Sequence, residues 1–355
     1  MLQSARKPAT WIIAFVCLFV SPGWPLADRS NQSPRKATYV PGELLVKYRT
    51  SARRAALEDF QRQRGISTLR TFRSIGVRHL RLPEGMTVKE ALEIYRDDPD
   101  IEYAEPNYVR RASLVPNDPD FGELWGLQKV DAPESWDTQT GSSTLVVAVL
   151  DTGADWDHED LTDNIWNNDD EAEDGMDSDG NGYIDDIRGW DFANGDNDPD
   201  DDHSGTYHGT HVSGTIGAEG DNGIGITGLN WSVSIMPLKI LDANGDGFVS
   251  HEIEAIDYAI ANGANIINAS FSGDTYSQSE HNAIERARDA RVLFVAAAGN
   301  DGQDNGDIPA YPASYDLDNV IAVAATNQND DMAWFSNYGA ASVDVAAPGV
   351  NIYST

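Results

Sequence analysis

Two stretches, Val147-Ala-Val-Leu-Asp151-Thr-Gly153 and His208-Gly-Thr-His211-Val-Ser-Gly-Thr215, decide how this chain is read. The first is an apolar run that ends in a carboxylate, the pattern of a buried strand with a polar turn at its end. The second opens on an imidazole and continues in small residues, the pattern of a helix start. A carboxylate that holds an imidazole supplies the base for nucleophilic acyl transfer. A hydroxyl nucleophile would complete the set, and none in a suitable motif appears before Thr355.

Outward from these stretches the chain alternates. Short apolar runs at Leu145 to Leu150, Val233 to Ile240, Asn265 to Ala269, Val292 to Ala296 and Val320 to Ala324 read as strands. Helical spacing near Gly209 to Gly217, Ser250 to Ala261 and Ser279 to Ala290 separates them. This is the pattern of an α/β domain with a parallel sheet and its functional groups at strand ends.

Towards the N-terminus the pattern differs. Gly42 to Arg49, Ile66 to Phe72, Val77 to Leu82 and Ile101 to Val109 read as strands, and Ser51 to Arg64 and Thr87 to Arg96 as helices, with Thr87 and Glu90 as a capping box. The order βαββαβ is that of a small α+β ferredoxin-like unit. Arg110 and Arg111 follow it and mark a processing boundary.

Charge divides the chain at the same place. Residues 1 to 112 carry 19 Lys plus Arg against 12 Asp plus Glu, and the remainder 6 against 46, so a basic leader of +7 is joined to an acidic body of −40. Opposite fields favour docking of one part on the other, and the body is a poor partner for nucleic acid. At the extreme N-terminus Arg6 and Lys7 precede an apolar stretch from Trp11 to Val20, breakers at Pro22, Gly23 and Pro25, and a small residue at Ala27. That is a secretory signal; the stretch is about half the ~20 residues that span a bilayer. The one cysteine, Cys17, lies inside it, so the exported chain has no disulfide and needs another staple.

Asp-Thr-Gly alone is an ordinary strand-end turn. Joined to His-Gly-Thr-His and to Ala296-Ala-Ala-Gly-Asn300, it resembles the subtilisin-like serine peptidases, and the resemblance runs from Tyr39 onward. It implies that Asp151 orients the base, His208 is the general base and Asn300 is the side-chain oxyanion donor. The family's serine stands in a Gly-Thr-Ser-Met-Ala type segment, and no Gly-Thr-Ser occurs here. The chain therefore reads as a precursor truncated before its nucleophile, and Ser354 stands outside the required motif. A zinc site through His203, His208 and His211 is the lesser reading, since no Glu follows the first histidine of the pair; in the family's pattern His211 is a packing residue. By the same resemblance Ser270, Phe271, Ser272 and Gly273 form an edge that pairs with an extended substrate, Gly245 and Gly247 the opposing edge, and Ala297, Ala298 and Gly299 a wall around the P1 side chain, with Ala310 at its base.

Acidic loops suggest the staple. Between Asp169 and Asp202 stand fifteen acidic residues and one basic residue, Arg188. Asp177, Asp179, Asn181 and Asp185 stand at alternate positions as in the first part of an EF-hand loop, but Arg188 occupies the place of its bidentate Glu, and Asp186 is a substitute. Asp196 and Asp198 belong to a second cluster with Asp191, Asp200, Asp201 and Asp202. A third set, by resemblance, is Asp118, Asp160, Asp221, Asn222, Ile224 and Ile226. Calcium is the expected cofactor.

The expectation is a secreted, calcium-stabilised serine endopeptidase precursor: a signal peptide at 1–27, a linker at 28–38, an inhibitor and chaperone-like propeptide at 39–111, and a peptidase domain at 112–355. Its partners are protein or peptide substrates and its own propeptide in the cleft, with no nucleic acid and no membrane for the mature form. The alternative is an inactive binding protein on the same scaffold.

Overall fold

Burial of Leu44 and Val46 on one side of Tyr39–Tyr48 makes the first strand, β1, half-buried, as an antiparallel strand with one covered face should be. The structure, a computed structural model, describes residues 39–50, 52, 54–96, 98–110 and 114–355. The signal, the linker and the boundary at Arg111 lie outside them. The chain divides into two compact units, one ending at Ala112 and the next starting at Ser113.

The N-terminal unit follows β1 with α1 (Arg54–Gln63), β2 (Ser67–Phe72), β3 (Val77–Arg81), α2 (Val88–Arg96) and β4 (Ile101–Tyr108). Its antiparallel sheet has the order β2-β3-β1-β4, the split arrangement that the βαββαβ order leads one to expect. The capping box forms: Thr87 Oγ1 accepts from Glu90 N at 3.2 Å, and Glu90 Oε2 accepts from Thr87 N at 2.8 Å. Val88, Ala91 and Tyr95 then face Leu44, Val46 and Leu80 in one core.

In the second unit α3 (Trp125–Lys129) and α4 (Ala132–Trp136) precede β5 (Gly141–Asp151), β6 (Trp190–Asp191), α5 (His208–Gly217), β7 (Ser232–Lys239), α6 (Val249–Ala261), β8 (Ile266–Ala269), α7 (Gln278–Asp289), β9 (Leu293–Ala297), β10 (Val320–Thr326) and β11 (Val345–Pro348). The seven strands pair in parallel in the order β11-β10-β9-β8-β5-β7-β6. Helices α6 and α7 cover one face through Leu150, Met236, Leu238, Ile256, Ile284 and Phe294. Val147, Val149, Ile235, Val295 and Val323 face the other way, towards Val212 of α5 and Trp136 of α4. Strand order reverses at β5, and in open parallel sheets the crevice beyond the carboxyl ends at such a point is where ligands bind. Asp151 is the last residue of β5.

Candidate active site

His208 reaches Asp151 because both are delivered by elements with nothing between them. A Cβ on Gly209 would stand 1.9 Å from the Gly153 carbonyl oxygen and 3.1 Å from Asp151 Cβ, so only glycine lets the start of α5 sit on the end of β5. Gly153 has φ +105, and a Cβ there would press on the carbonyls of Pro199 and Asp200. The first N–H groups of α5 are satisfied from outside the helix: Gly209 N donates to Thr152 Oγ1 at 2.9 Å, and Thr210 N to Asp201 Oδ2 at 2.9 Å.

The result is a contact of 2.6 Å between His208 Nδ1 and Asp151 Oδ1, with the imidazole 4% and the carboxylate 0% exposed. Thr152 N also donates to Asp151 Oδ1, at 2.7 Å. Burial pulls His208 towards its neutral form, but the charge and hydrogen bond of Asp151, with Asp201 behind them, outweigh it and hold the imidazole above its usual range. An imidazole whose Nδ1 is fixed on a buried carboxylate has one tautomer available, with Nε2 left to exchange a proton.

Beside the ring is a cavity of about 210 Å³ lined by Thr152, His208, Leu241, Gly245, Ser270, Phe271, Ser272, Ala297, Gly299 and Asn300. Asn300 therefore joins His208 across the crevice. One expected wall position falls elsewhere: Ala298 is wholly buried, with N–H on Val323 O, and the wall there is Ala297 and Gly299. Alternation at the end of β9 explains it, since one residue in two faces inward. Gly247 bridges to Leu241 and Gly273 to Tyr311, so both brace the edges from behind the lining. Ala310 is buried beneath Gly299.

His211 is turned from this crevice. Its Nε2 contacts the Ile352 carbonyl at 3.2 Å, and burial holds the ring below its usual range. Ser354 Oγ donates to His211 O at 2.8 Å, one turn along α5.

Three acidic sets sit around the unit. Asp118, Asp160, Asp221 and Asn222 converge: Asp118 accepts from Asp221 N and Asn222 N, and Asp160 from Asn222 Nδ2 and Ile226 N. Burial and then the charge of Asp118 hold the Asp160 carboxyl above its usual range. In the EF-like stretch Asp177 and Asp179 gather with Glu171, which the spacing argument missed because it lies outside the loop. Asn181 bonds Asp179 and Asp186; the oxygens of Asp185 accept from the N–H groups of Asp174 and Gly175, and those of Asp177 from Gly180, Asn181 and Gly182. Arg188 turns away onto the Trp156 ring, 4.1 Å from its centroid. Asp198 lines an acidic cavity of about 220 Å³ with Asp155, Asp157, Asp200 and Asp201, and Asp196 accepts from Asp198 N. Burial and neighbouring carboxyls hold both Asp155 and Asp200 above the usual range. All-oxygen donor sets of this kind fit a hard divalent cation.

A further groove of about 1090 Å³ lies on the sheet face away from α6 and α7, lined by Trp136, Leu145, Val147, Ile216, Ile266 and Val295 among others.

Sequence comparison agrees with this geometry. A family model described as the subtilase family matches residues 142–355, and one described as the fervidolysin N-terminal prodomain matches residues 25–107. A thermophilic serine proteinase of Bacillus sp. (strain AK1) is 36% identical over 92% of this chain and 74% of its own length. Thermitase of Thermoactinomyces vulgaris is 37% identical over 68% of this chain and 76% of its own. A halolysin-like extracellular serine protease, Nep, of Natrialba magadii is 33% identical over 72% of this chain and 43% of its own. A solved protease structure from Pseudoalteromonas arctica PAMC 21717 covers 66% of this chain and is itself covered over 73%, with a TM-score of 0.52 and 34% identity.

Proposed function

The chain belongs to the subtilase family of serine endopeptidases, with a prodomain ahead of its α/β unit, and from that premise we propose that Asp151, His208 and Asn300 are its catalytic groups. The observation that carries the proposal is the buried 2.6 Å contact between Asp151 and His208 on a crevice shared with Asn300. Asp151 stabilises the imidazolium that forms as His208 Nε2 takes the proton of an attacking serine. His208 then returns that proton to the leaving amine. Asn300 donates its amide N–H to the oxyanion, a contribution of about 3 kcal/mol for such a donor in a subtilisin. No Gly-Thr-Ser segment occurs among these 355 residues, and the apolar groove over Val147, Ile266 and Val295 would seat a helix that carried such a serine.

The substrate is an extended peptide held by strand addition between the Ser270–Gly273 edge and the Gly245–Gly247 edge, its P1 side chain against Ala297 and Gly299. Small walls accept a range of side chains. The 39–111 unit is the propeptide, which is removed when the enzyme matures. Calcium at the Asp118, Asp160, Asp221 and Asn222 set stabilises the acidic unit, with Ile224 and Ile226 offering carbonyl oxygens. Further ions at Asp177, Asp179 and Asn181 with Glu171, and at Asp196 and Asp198 with Asp155, would act the same way. The leader's signal pattern, the single cysteine inside it and a relative described as extracellular support secretion. Among the described residues no helix is long and apolar enough to cross a membrane.

The test is a precursor expressed in a protease-free system with a Gly-Thr-Ser segment present. His208→Ala is expected to leave the propeptide attached while the unaltered precursor sheds it and reacts with a fluorophosphonate. Normal processing of the variant would remove His208 from the reaction.

A further inference from the structure

Ser277 caps α7, and Glu280 stands three residues on, the sequence of a capping box. The box does not close. Ser277 Oγ accepts from Glu280 N, but Ser277 N donates instead to the Tyr315 hydroxyl at 3.1 Å, and Glu280 turns inward to meet that hydroxyl at 2.7 Å. There it faces Glu252 of α6. Each glutamate is 4% exposed, the two carboxyls stand close enough to act on each other directly, and Glu252 Oε1 has no hydrogen-bond partner among the described residues.

Counting protons settles the state of this group. The Tyr315 hydroxyl has one hydrogen and two acceptors to serve, the Ser277 carbonyl at 3.0 Å and Glu280 Oε2 at 2.7 Å. A contact between two carboxyls is a hydrogen bond only when one of them is protonated. Among the described residues no cation pairs with either glutamate: Arg286 of α7 is spent on exposed Asp257, and Arg288 on Glu285 and Asp289. The other titratable groups nearby are Tyr315, Tyr276 and the flanking histidines, of which His281 packs edge-on against Tyr315. Two buried carboxyls without a counter-charge cannot both ionise. Burial raises both acids, and the contact between them raises Glu252 further while it lowers Glu280, the asymmetry expected when Glu252 carries the shared proton.

What the pair holds is connected to the crevice. Tyr315 stacks on Tyr311 with ring centroids 4.7 Å apart, and Tyr311 exchanges both backbone hydrogen bonds with Gly273, each 2.8 Å. Gly273 directly follows Ser270, Phe271 and Ser272, which line the cavity beside His208.

We propose that Glu252 and Glu280 share a proton, and that this proton latches the Gly273–Tyr311 edge of the crevice, firm in acidic and neutral solution and loosened in alkali. That the edge receives substrate rests on the peptidase reading above; the latch does not.

The sign follows from linkage. A carboxyl raised in the folded state binds a proton that the unfolded chain has released, so its stabilisation is full below the ordinary Glu value and is lost as pH rises through the folded value. Each proton released makes unfolding about tenfold more favourable per pH unit.

The experiment uses the whole chain and needs no catalysis. Hydrogen exchange at the Gly273 and Tyr311 amides is compared with that of Glu252→Gln at equal pH between 6 and 9.5, alongside ¹³C carboxyl titration of labelled glutamate. The side-chain amide introduced by this substitution donates an N–H to Glu280 in place of the shared proton. Protection at the two amides is therefore expected to fall in the unaltered chain, by about tenfold per pH unit above the titration, and to stay flat in the variant. Glu280→Gln, which donates to both Glu252 and Tyr315, is expected to stay flat as well. Equal pH dependence in all three chains would overturn the latch, as would two carboxyl signals that titrate near the ordinary Glu value. So would a pair whose protection depends on added Ca²⁺ rather than on pH. Failure of His208→Ala to block processing would leave every one of these outcomes unchanged.

Discussion

Asp151→Asn keeps the shape of the β5 end and removes one charge from a buried pair. Asp151 Oδ1 takes two hydrogen bonds, from His208 at 2.6 Å and from Thr152 N at 2.7 Å, and neither partner is open to water. An asparagine oxygen can still accept both, so what is lost is the charge. A hydrogen bond to a charged group contributes about 1.5–3 kcal/mol, and breaking a buried pair costs about 3–5 kcal/mol because the remaining charge is stranded. The cost depends on pH. His208 is raised in the folded state, so the stabilisation from its pairing is complete below the ordinary histidine value and disappears as pH rises through the folded value. The substitution is therefore expected to cost about 3 kcal/mol at pH 5.5 and under about 1 kcal/mol at pH 9. Urea unfolding followed by tryptophan emission measures this, because seven of the nine tryptophans lie in residues 113–355. The raised carboxyls at Asp155, Asp160, Asp186, Asp191 and Asp200 make the parent chain pH-dependent too, but they cancel in the difference. An equal cost at both pH values, or a larger one at pH 9, would refute the charge pairing.

Chelation is expected to lower the melting temperature of the second unit, and Asp160→Asn to remove most of that response, since a site held at a hundred times its dissociation constant contributes about 2.7 kcal/mol. A midpoint unmoved by chelator would remove the staple. Leu150→Ala opens a hole between β5 and the α6 and α7 layer, where Leu150 is 0% exposed, and is expected to cost about 3–4 kcal/mol in the same urea assay. A cost under about 1 kcal/mol would mean that the layer closes over the gap.

Sheet and leader were legible wherever apolar residues recur with a clear period. All five strand runs of the second unit and all four of the first form strands, and the three predicted helices of the α/β unit lie within a residue or so of α5, α6 and α7. What escaped has too little sequence to carry a period. β6 is two residues inside the acidic stretch, β11 is four residues of mixed exposure, and α3 and α4 are single turns held by Leu127 and Trp136 against the sheet. The crevice was legible through motifs, not periodicity, and what the motifs do not give is the finer placement of the residues in and beside them. Ala298 turned inward, Gly247 and Gly273 became braces, and Thr152 and Asp201 were missed because they act on backbone N–H groups of α5, which no side-chain pattern displays. The contacts of Asp185 are hidden for the same reason: its oxygens accept from the Asp174 and Gly175 N–H groups, which residue spacing does not display.

The positions that matter most here share a physical condition, a buried acid whose neighbours decide whether it keeps its proton. Asp151 is 0% exposed and its close partner is an imidazole that can take up a compensating charge. Glu252 and Glu280 have no such partner among the described residues, and the proposed shared proton neutralises one of them. Asp160 and Asp200 stand among other carboxyls, where a divalent cation relieves what a single proton would leave crowded. A unit that carries 46 acidic residues against 6 basic ones cannot balance its buried carboxylates with lysine and arginine, and five of its six cations are already bound elsewhere: Lys129 to Asp330, Arg188 on Trp156, Lys239 to Asp202, Arg286 to Asp257 and Arg288 to Glu285. Imidazole, proton and metal ion are then three solutions to one shortage. In the proposals made for this chain the crevice draws on the first, its Gly273 edge on the second and the surrounding loops on the third, so pH and cation concentration are expected to act at different places.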